Sequence, residues 1–237
     1  MKKWIPFVAA LVVIASSCQK ELSYENSGLS GGGATGGTSG GSSSTDCKAC
    51  LYMPVCNGAY YTFYDTLPTS TTIVTDTFRV IKDTSISSKT FVKIFSPLTQ
   101  AYNYYNCTDG ATRVIGYNQN TLGGNTILLA DITFIKANLP VGGTWQDNFN
   151  NPLGQPIVYN SKIAEKSISR TINGKVFTDV IHVYTEAGID VPILGFTVVG
   201  ATDYYFAKGV GLVEAVLTNP STGTVDQHRA IKDYYIP

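Results

Sequence analysis

"KSISRTINGKVFTDVIHVY", residues 166–184, decides the fold. Asn173-Gly174 separates two runs rich in β-branched and aromatic residues. A two-residue type I′ turn needs positive φ at both central positions, which Asn-Gly tolerates well. The stretch predicts an antiparallel hairpin with arms at 156–170 and 175–184. The same pattern extends in both directions. Runs of Val, Ile, Thr, Tyr and Phe, bounded by turn residues, predict strands at 59–66, 72–82, 89–95, 101–106, 112–117, 126–136, 193–199, 202–207, 210–218 and 224–235. Amphipathic helical periods are nearly absent. The expected fold class is all-β: an antiparallel sheet curled into a half-barrel, a clam or a sandwich.

The hairpin also has an echo. At an offset of 86 residues "ISSKTF" (86–91) lies over "INGKVF" (172–177), and "MPVCNGAYYTF" (53–63) lies over "LPVGGTWQDNF" (139–149). Pro54/Pro140, Val55/Val141, Phe63/Phe149, Leu67/Leu153, Ile86/Ile172, Lys89/Lys175 and Phe91/Phe177 are identical. Such self-similarity predicts an internally duplicated sheet with halves at about 53–117 and 139–218, each hiding its apolar face against the other. Val55 is then expected to match Val141, and Phe91 to match Phe177 in the core.

Ahead of the β region, Lys2 and Lys3 precede an apolar run from Trp4 to Ala15. A basic start before an apolar segment of this length predicts a secretory signal, and the run is too short to span a bilayer. Ala15-Ser16-Ser17-Cys18 resembles the bacterial lipobox. The resemblance implies that the signal is 1–17 and that the Cys18 thiol takes up diacylglycerol, so that acyl chains of the palmitate kind anchor the protein to a membrane. Gln19-Lys20-Glu21 resembles the signal that sends some lipoproteins of one Gram-negative phylum to the outer cell surface. This implies an outer-membrane lipoprotein displayed outside, with a periplasm-facing anchor as the alternative. Residues 27–45, "SGLSGGGATGGTSGGSSST", hold too few apolar groups to fold. The segment 18–45 is expected to be a lipidated start followed by a coil spanning about 25 Å. The remaining 46–237 are expected to form one β domain. "YYFAKGVGLVEAVL" (204–217) resembles the closing strand pair of uncharacterised exported lipoproteins of the same phylum, a resemblance that implies no activity.

The chain carries 17 basic and 17 acidic residues, and charged residues make up 14% of it. With no basic excess to neutralise phosphates, nucleic acid is not an expected partner. Cys47, Cys50, Cys56 and Cys107 form an even set in an exported domain, which predicts disulfides. Three pairings are open, and the favoured one joins Cys56 to Cys107. No Gly-x-Ser-x-Gly elbow or His-rich zinc motif is present. "GVGLVE" (209–214) lacks the third glycine and the helix of a nucleotide loop, and Gly209 and Gly211 suit a tight connection or bulge. "DNFNN" (147–151) reads as a turn rather than a calcium loop. Asp131, Glu165, Asp179, Glu186 and Glu214 are the acids available for glycoside chemistry, and spacing singles out no pair. His182 is expected to be packed and hydrogen-bonded, His228 solvated. No catalytic residue, metal or cofactor is predicted.

Tyrosine pairs at 60–61, 104–105, 204–205 and 234–235 remain. Neighbours on a strand point to opposite faces, so one ring of each pair is expected inside and the other outside. Tyr61, Tyr105 and Tyr205, with Trp145, are the candidates for ligand contact. The first functional expectation is a non-catalytic envelope lipoprotein that binds a glycan, a protein or another envelope component. The alternative is a carrier or chaperone for a lipid-like ligand in a concave sheet. A hydrolase with unrecognised residues is the third. An exposed aromatic stripe beside Asn and Asp would favour the first, and an apolar concave face the second.

Overall fold

A computed structural model describes residues 50–67, 72–119, 126–150, 154–191 and 195–237. Cys18, Cys47, the signal, the Gly/Ser/Thr segment and Asn151 lie outside the described residues. Twelve strands run in chain order: β1 (Tyr60–Thr66), β2 (Ile73–Ile86), β3 (Lys89–Ser96), β4 (Ala101–Thr108), β5 (Ala111–Gln119), β6 (Thr126–Lys136), β7 (Thr144–Asn150), β8 (Pro156–Ile172), β9 (Lys175–Val191), β10 (Gly195–Ala207), β11 (Gly211–Thr218) and β12 (Val225–Tyr235). No helix occurs among the described residues. All strands belong to one antiparallel sheet, in the order β6-β5-β4-β3-β2-β1-β12-β11-β10-β9-β8-β7. Each strand pairs with its chain neighbour, except that β1 pairs with β12 and β6 forms no ladder with β7. The sheet is a nearly closed barrel, not a sandwich of two sheets.

Closure at the β6/β7 gap uses side chains. The Thr133 N–H of β6 donates to Asp147 Oδ2 on β7 at 2.9 Å, and its hydroxyl donates to Oδ1 at 3.1 Å. The Trp145 indole N–H donates to the Thr133 carbonyl at 2.9 Å. Lys166 donates to the carbonyls of Ala137 and Leu139 in the intervening turn. Asp147–Asn150 are therefore strand, not the turn that the Asp-Asn composition suggests, because the sheet edge needs a polar partner there.

The Asn173-Gly174 turn has φ of 49° and 77°, and its counterpart Ser87-Ser88 has 49° and 65°. Both are two-residue hairpins of the primed kind. They join β2 to β3 and β8 to β9, corresponding steps of the two six-strand runs. Phe91 and Phe177 are both buried, whereas Val55 is buried and Val141 is 59% exposed, so that expected match fails. The predicted strands at 193–199 and 202–207 are one continuous β10, because the chain continues through a bulge between Val198 and Gly200.

Alternation along each strand sends one set of side chains inward. In β1 these are Tyr61, Phe63 and Asp65. Phe206, Ile163, Ile181 and Val183 are fully buried with them. Burying each such side chain contributes about 1.5–3 kcal/mol before entropy is counted. Residues 50–59 cap one end of this core. Met53, Val55, Cys56 and Ala59 join it. The Gly209 N–H donates to the Leu51 carbonyl, at a φ of 73° that glycine adopts freely. The Tyr52 hydroxyl donates to Asp179 Oδ1 at 2.9 Å. Burial and that bond push the Tyr52 hydroxyl up to about 12.

The cap is tied down by a disulfide between Cys50 and Cys107, 57 residues apart. This corrects the favoured Cys56–Cys107 pairing. Cys50 lies against the β4–β5 ladder, its Sγ near the Thr112 hydroxyl, and Thr112 pairs with Cys107 in register. Cys56, six residues on, has already entered the core and sits in a disulfide of its own.

Toward the opposite end the inner face turns polar. The Arg229 guanidinium donates twice to Asp65, both bonds at 2.7 Å. The Ser96 hydroxyl donates to the Asp76 carboxylate, and the Ser161 and Thr185 hydroxyls share a bond of 2.9 Å. Burial raises the Asp76 carboxyl above the ordinary carboxylate range, against the lowering effects of Ser96 and Arg229. The inner face thus carries the apolar core at one end and paired charges toward the other. The outer wall carries Lys93, Glu165 and Arg79, the reverse of a membrane-spanning barrel with its apolar band outside.

Candidate functional site: a groove on the outer wall

The side chains that face outward from β1 are Tyr60, Thr62 and Tyr64, the residues between its buried positions. Their cross-strand partners on β2 are Arg79, Thr77 and Thr75. On β12 they face Tyr235, Asp233 and Ala230. Directly opposed residues share a face, so these three strands lay one continuous surface on the outer wall.

A bulge shapes that surface. Thr62 pairs with Asp233 and Phe63 with Ile231, leaving Lys232 as the extra residue. A bulge re-aims side chains, and here Lys232 and Asp233 are both exposed although they are consecutive. The result is a groove of about 440 Å³ lined by Tyr60, Thr62, Thr77, Arg79, Lys232 and Asp233. That volume lies in the range of small-molecule sites, roughly 300–1,000 Å³.

Aromatic and polar groups alternate around the groove. The Tyr60 and Tyr235 rings stack at 6.1 Å, tilted by 24°, and Tyr235 is 52% exposed. The Tyr60 hydroxyl donates to Asp233 Oδ2 at 3.3 Å. The Thr62 and Thr77 hydroxyls lie 3.1 Å apart. Lys232 Nζ sits 4.9 Å from the centre of the Tyr64 ring. Lys175, at the start of β9, reaches Asp233 at 3.7 Å and donates to the Lys232 carbonyl.

The residues singled out from the sequence lie elsewhere. Tyr61, Tyr105, Tyr205 and Trp145 are all buried. Alternation holds, but Tyr61 and Tyr105 are the inward members of their pairs. Tyr61 donates to the Pro54 carbonyl of the cap, and burial pushes the Tyr105 hydroxyl up to about 12. Tyr205 points to the outer wall, where Arg170 covers it at 3.6 Å and the His182 ring stacks on it at 4.5 Å. Trp145 closes the barrel gap. The register of the first tyrosine pair could have found Tyr60: a strand starting at 59 with an inward Phe63 puts Tyr61 inside and Tyr60 out.

The five acids are each engaged by a separate partner. Asp131 takes two bonds from Arg113, Glu186 accepts from Tyr184, and Asp179 accepts from Tyr52 and pairs with Lys208. Glu165 and Asp203 flank His182 at 3.0 and 2.6 Å. Glu214 accepts from Arg170 and contacts His228 at 2.8 Å. His182 is packed and bonded as expected. His228 is bonded as well as solvated, because Glu214 pairs diagonally with it across the β11–β12 ladder. Among the described residues no group of three or more His, Cys, Asp or Glu side chains is placed to hold a metal.

No protein-family profile matches the chain, nor does any curated protein. Solved structures that resemble it include a candidate lipoprotein from Parabacteroides distasonis ATCC 8503, at TM-score 0.46 and 12% identity, covering 78% of this chain and 99% of that one. A candidate exported protein with a YmcC-like fold from Bacteroides fragilis NCTC 9343 has TM-score 0.46 and 10% identity, over 79% and 100% of the two chains. A candidate outer membrane lipoprotein-sorting protein domain from Vibrio parahaemolyticus has TM-score 0.33 and 10% identity, over 76% and 85%. Similarity at this level carries no functional information.

Proposed function

We propose that this protein is a non-catalytic envelope lipoprotein, anchored through Cys18, whose barrel binds a glycan in the groove formed by β1, β2 and β12. One observation carries the reading: a stacked tyrosine pair, half-buried Tyr60 against exposed Tyr235, lies beside a carboxylate, two cations and two hydroxyls on the outer wall. A sugar ring presents apolar C–H faces and a rim of hydroxyls. It needs an aromatic face to stack on and planar polar groups at the edge, and the groove offers both. The lipid-carrier alternative gains no support from the inner face, which is packed at one end and charged at the other. Acid–base turnover needs catalytic groups within reach of one another and of a substrate, and the wall acids are each committed to a partner.

The test uses the full-length lipoprotein in detergent on a glycan array, followed by calorimetry on the best ligand. Aromatic stacking on a base contributes roughly 1–3 kcal/mol, and a sugar face is of similar order or less. Tyr60→Ala and Tyr235→Ala should therefore weaken binding several-fold while the unfolding temperature stays within a few degrees. A glycan whose affinity ignores both changes would remove the groove from consideration. Hydrolysis that disappears on replacing one pair of carboxylates would overturn the non-catalytic reading.

A further inference from the structure

The chain holds four arginines, and three of them are committed. Arg113 pairs with Asp131 at 2.6 Å, Arg170 pairs with Glu214, and Arg229 pairs with Asp65 at 2.7 Å. Arg79 alone has no carboxylate partner among the described residues, and it is exposed on the groove. Lys232 shares this condition: its contact is the Tyr64 ring, and no described carboxylate pairs with it. The single acid of the groove, Asp233, is shared with Lys175. Three cations thus lie on or beside a groove that holds one acid, on a protein of zero formal net charge. Arg79 on β2 and Lys232 on β12 flank β1, two strand spacings apart, or about 10 Å. That separation spans a sugar ring and its substituents.

Resting on the glycan reading above, we infer that the ligand is an acidic saccharide, whose carboxylate or phosphate is taken by Arg79 and Lys232 while a ring stacks on Tyr60 and Tyr235. A guanidinium suits either anion because its forked N–H groups match two oxygens at once. Neutral sugars leave both cations without a partner.

The experiment compares three probes on the full-length protein in detergent: an oligogalacturonate, a phosphorylated oligosaccharide and a neutral galacto-oligosaccharide. Arg79→Gln and Lys232→Gln are tested beside Tyr235→Ala. Both charge changes are at exposed positions and should leave the unfolding temperature unchanged. Expected is binding of at least one acidic probe about tenfold or more tighter than the neutral one. That preference should fall with added salt and disappear in Arg79→Gln, while Tyr235→Ala weakens acidic and neutral probes alike. Preference for the carboxylate or for the phosphate identifies the source of the anion, and either supports the inference. Equal binding of acidic and neutral probes, insensitive to Arg79→Gln but sensitive to Tyr235→Ala, overturns the acidic class and leaves the groove standing. Binding indifferent to Tyr235→Ala, or no binding of any probe, overturns the groove reading and this inference with it.

Discussion

His182 sits between two acids on adjacent strands, Glu165 of β8 and Asp203 of β10, with the Tyr205 ring on its face and Arg170 beyond that ring. Burial disfavours its charge, but hydrogen bonds to Asp203 and Glu165 and the charges of those acids outweigh it. The imidazole is held above its usual 6.5. A group raised in the folded state contributes stability that is full below its unfolded value and lost as pH rises through the folded one. His182→Gln should therefore lower the unfolding temperature more at pH 5.5 than at pH 9. Equal losses at the two values would show that the residue contributes only packing. A histidine amid "DVIHVY" can be recognised as a wall residue from its alternation alone. Its two acids cannot, since Glu165 and Asp203 reach it only through the β8–β9 and β9–β10 registers. The same limit applies to the groove. Tyr60 and Tyr235 are far apart in sequence, and no local pattern announces that β1 and β12 are neighbours.

Among the elements, β7 is the one that local reading passes over. Its inward row is Trp145, Asp147 and Phe149, opposite Ser161, Tyr159 and Ile157. An acid in the middle of that row breaks the alternation on which strand prediction depends. The acid is there because β6 is an edge, and its Thr133 amide has no strand to pair with. Asp147→Ala would leave that amide unsatisfied, at a cost of about 1–3 kcal/mol. The expected result is a lower urea midpoint together with faster amide exchange at Thr133. Exchange unchanged at Thr133 would mean that the gap is held by other contacts. A second element-level expectation concerns the cap. Closing a 57-residue loop contributes about 4 kcal/mol in the chain-entropy account, so Cys107→Ser should lose stability of that order. A loss well under 1 kcal/mol in denaturant titration would show that the 50–59 segment is held by its core contacts alone. The hairpins, by contrast, were legible because their information is local: two residues with positive φ fix the register of both arms.

At the scale of the molecule, the barrel carries its groove on the outer wall, while its inner face holds the apolar core and the buried charge pairs. Lipid attachment through Cys18 would hold that wall near a membrane. Cys18→Ala should move the protein from the membrane fraction to the soluble one, and persistence in the membrane fraction would refute the anchor. The all-β class could be read from composition and turn residues, but not the strand count, since β7 was passed over and β10 was read as two strands. The joining of the two six-strand runs could not, because it depends on a ladder between strands separated by most of the domain, with Asp65 on β1 and Arg229 on β12 lying 164 positions apart. That ladder has a consequence for biogenesis. Among the strands β1 comes first and β12 after the other eleven, so β1 can pair with β2 on one side while its other edge waits, bare, until β12 arrives. Unpaired edges recruit other strands, and contacts this distant in sequence form slowly. The chain is thus most vulnerable to aggregation until β12 docks on β1, and a nonsense codon within β12 should yield insoluble chains rather than a slightly shortened barrel.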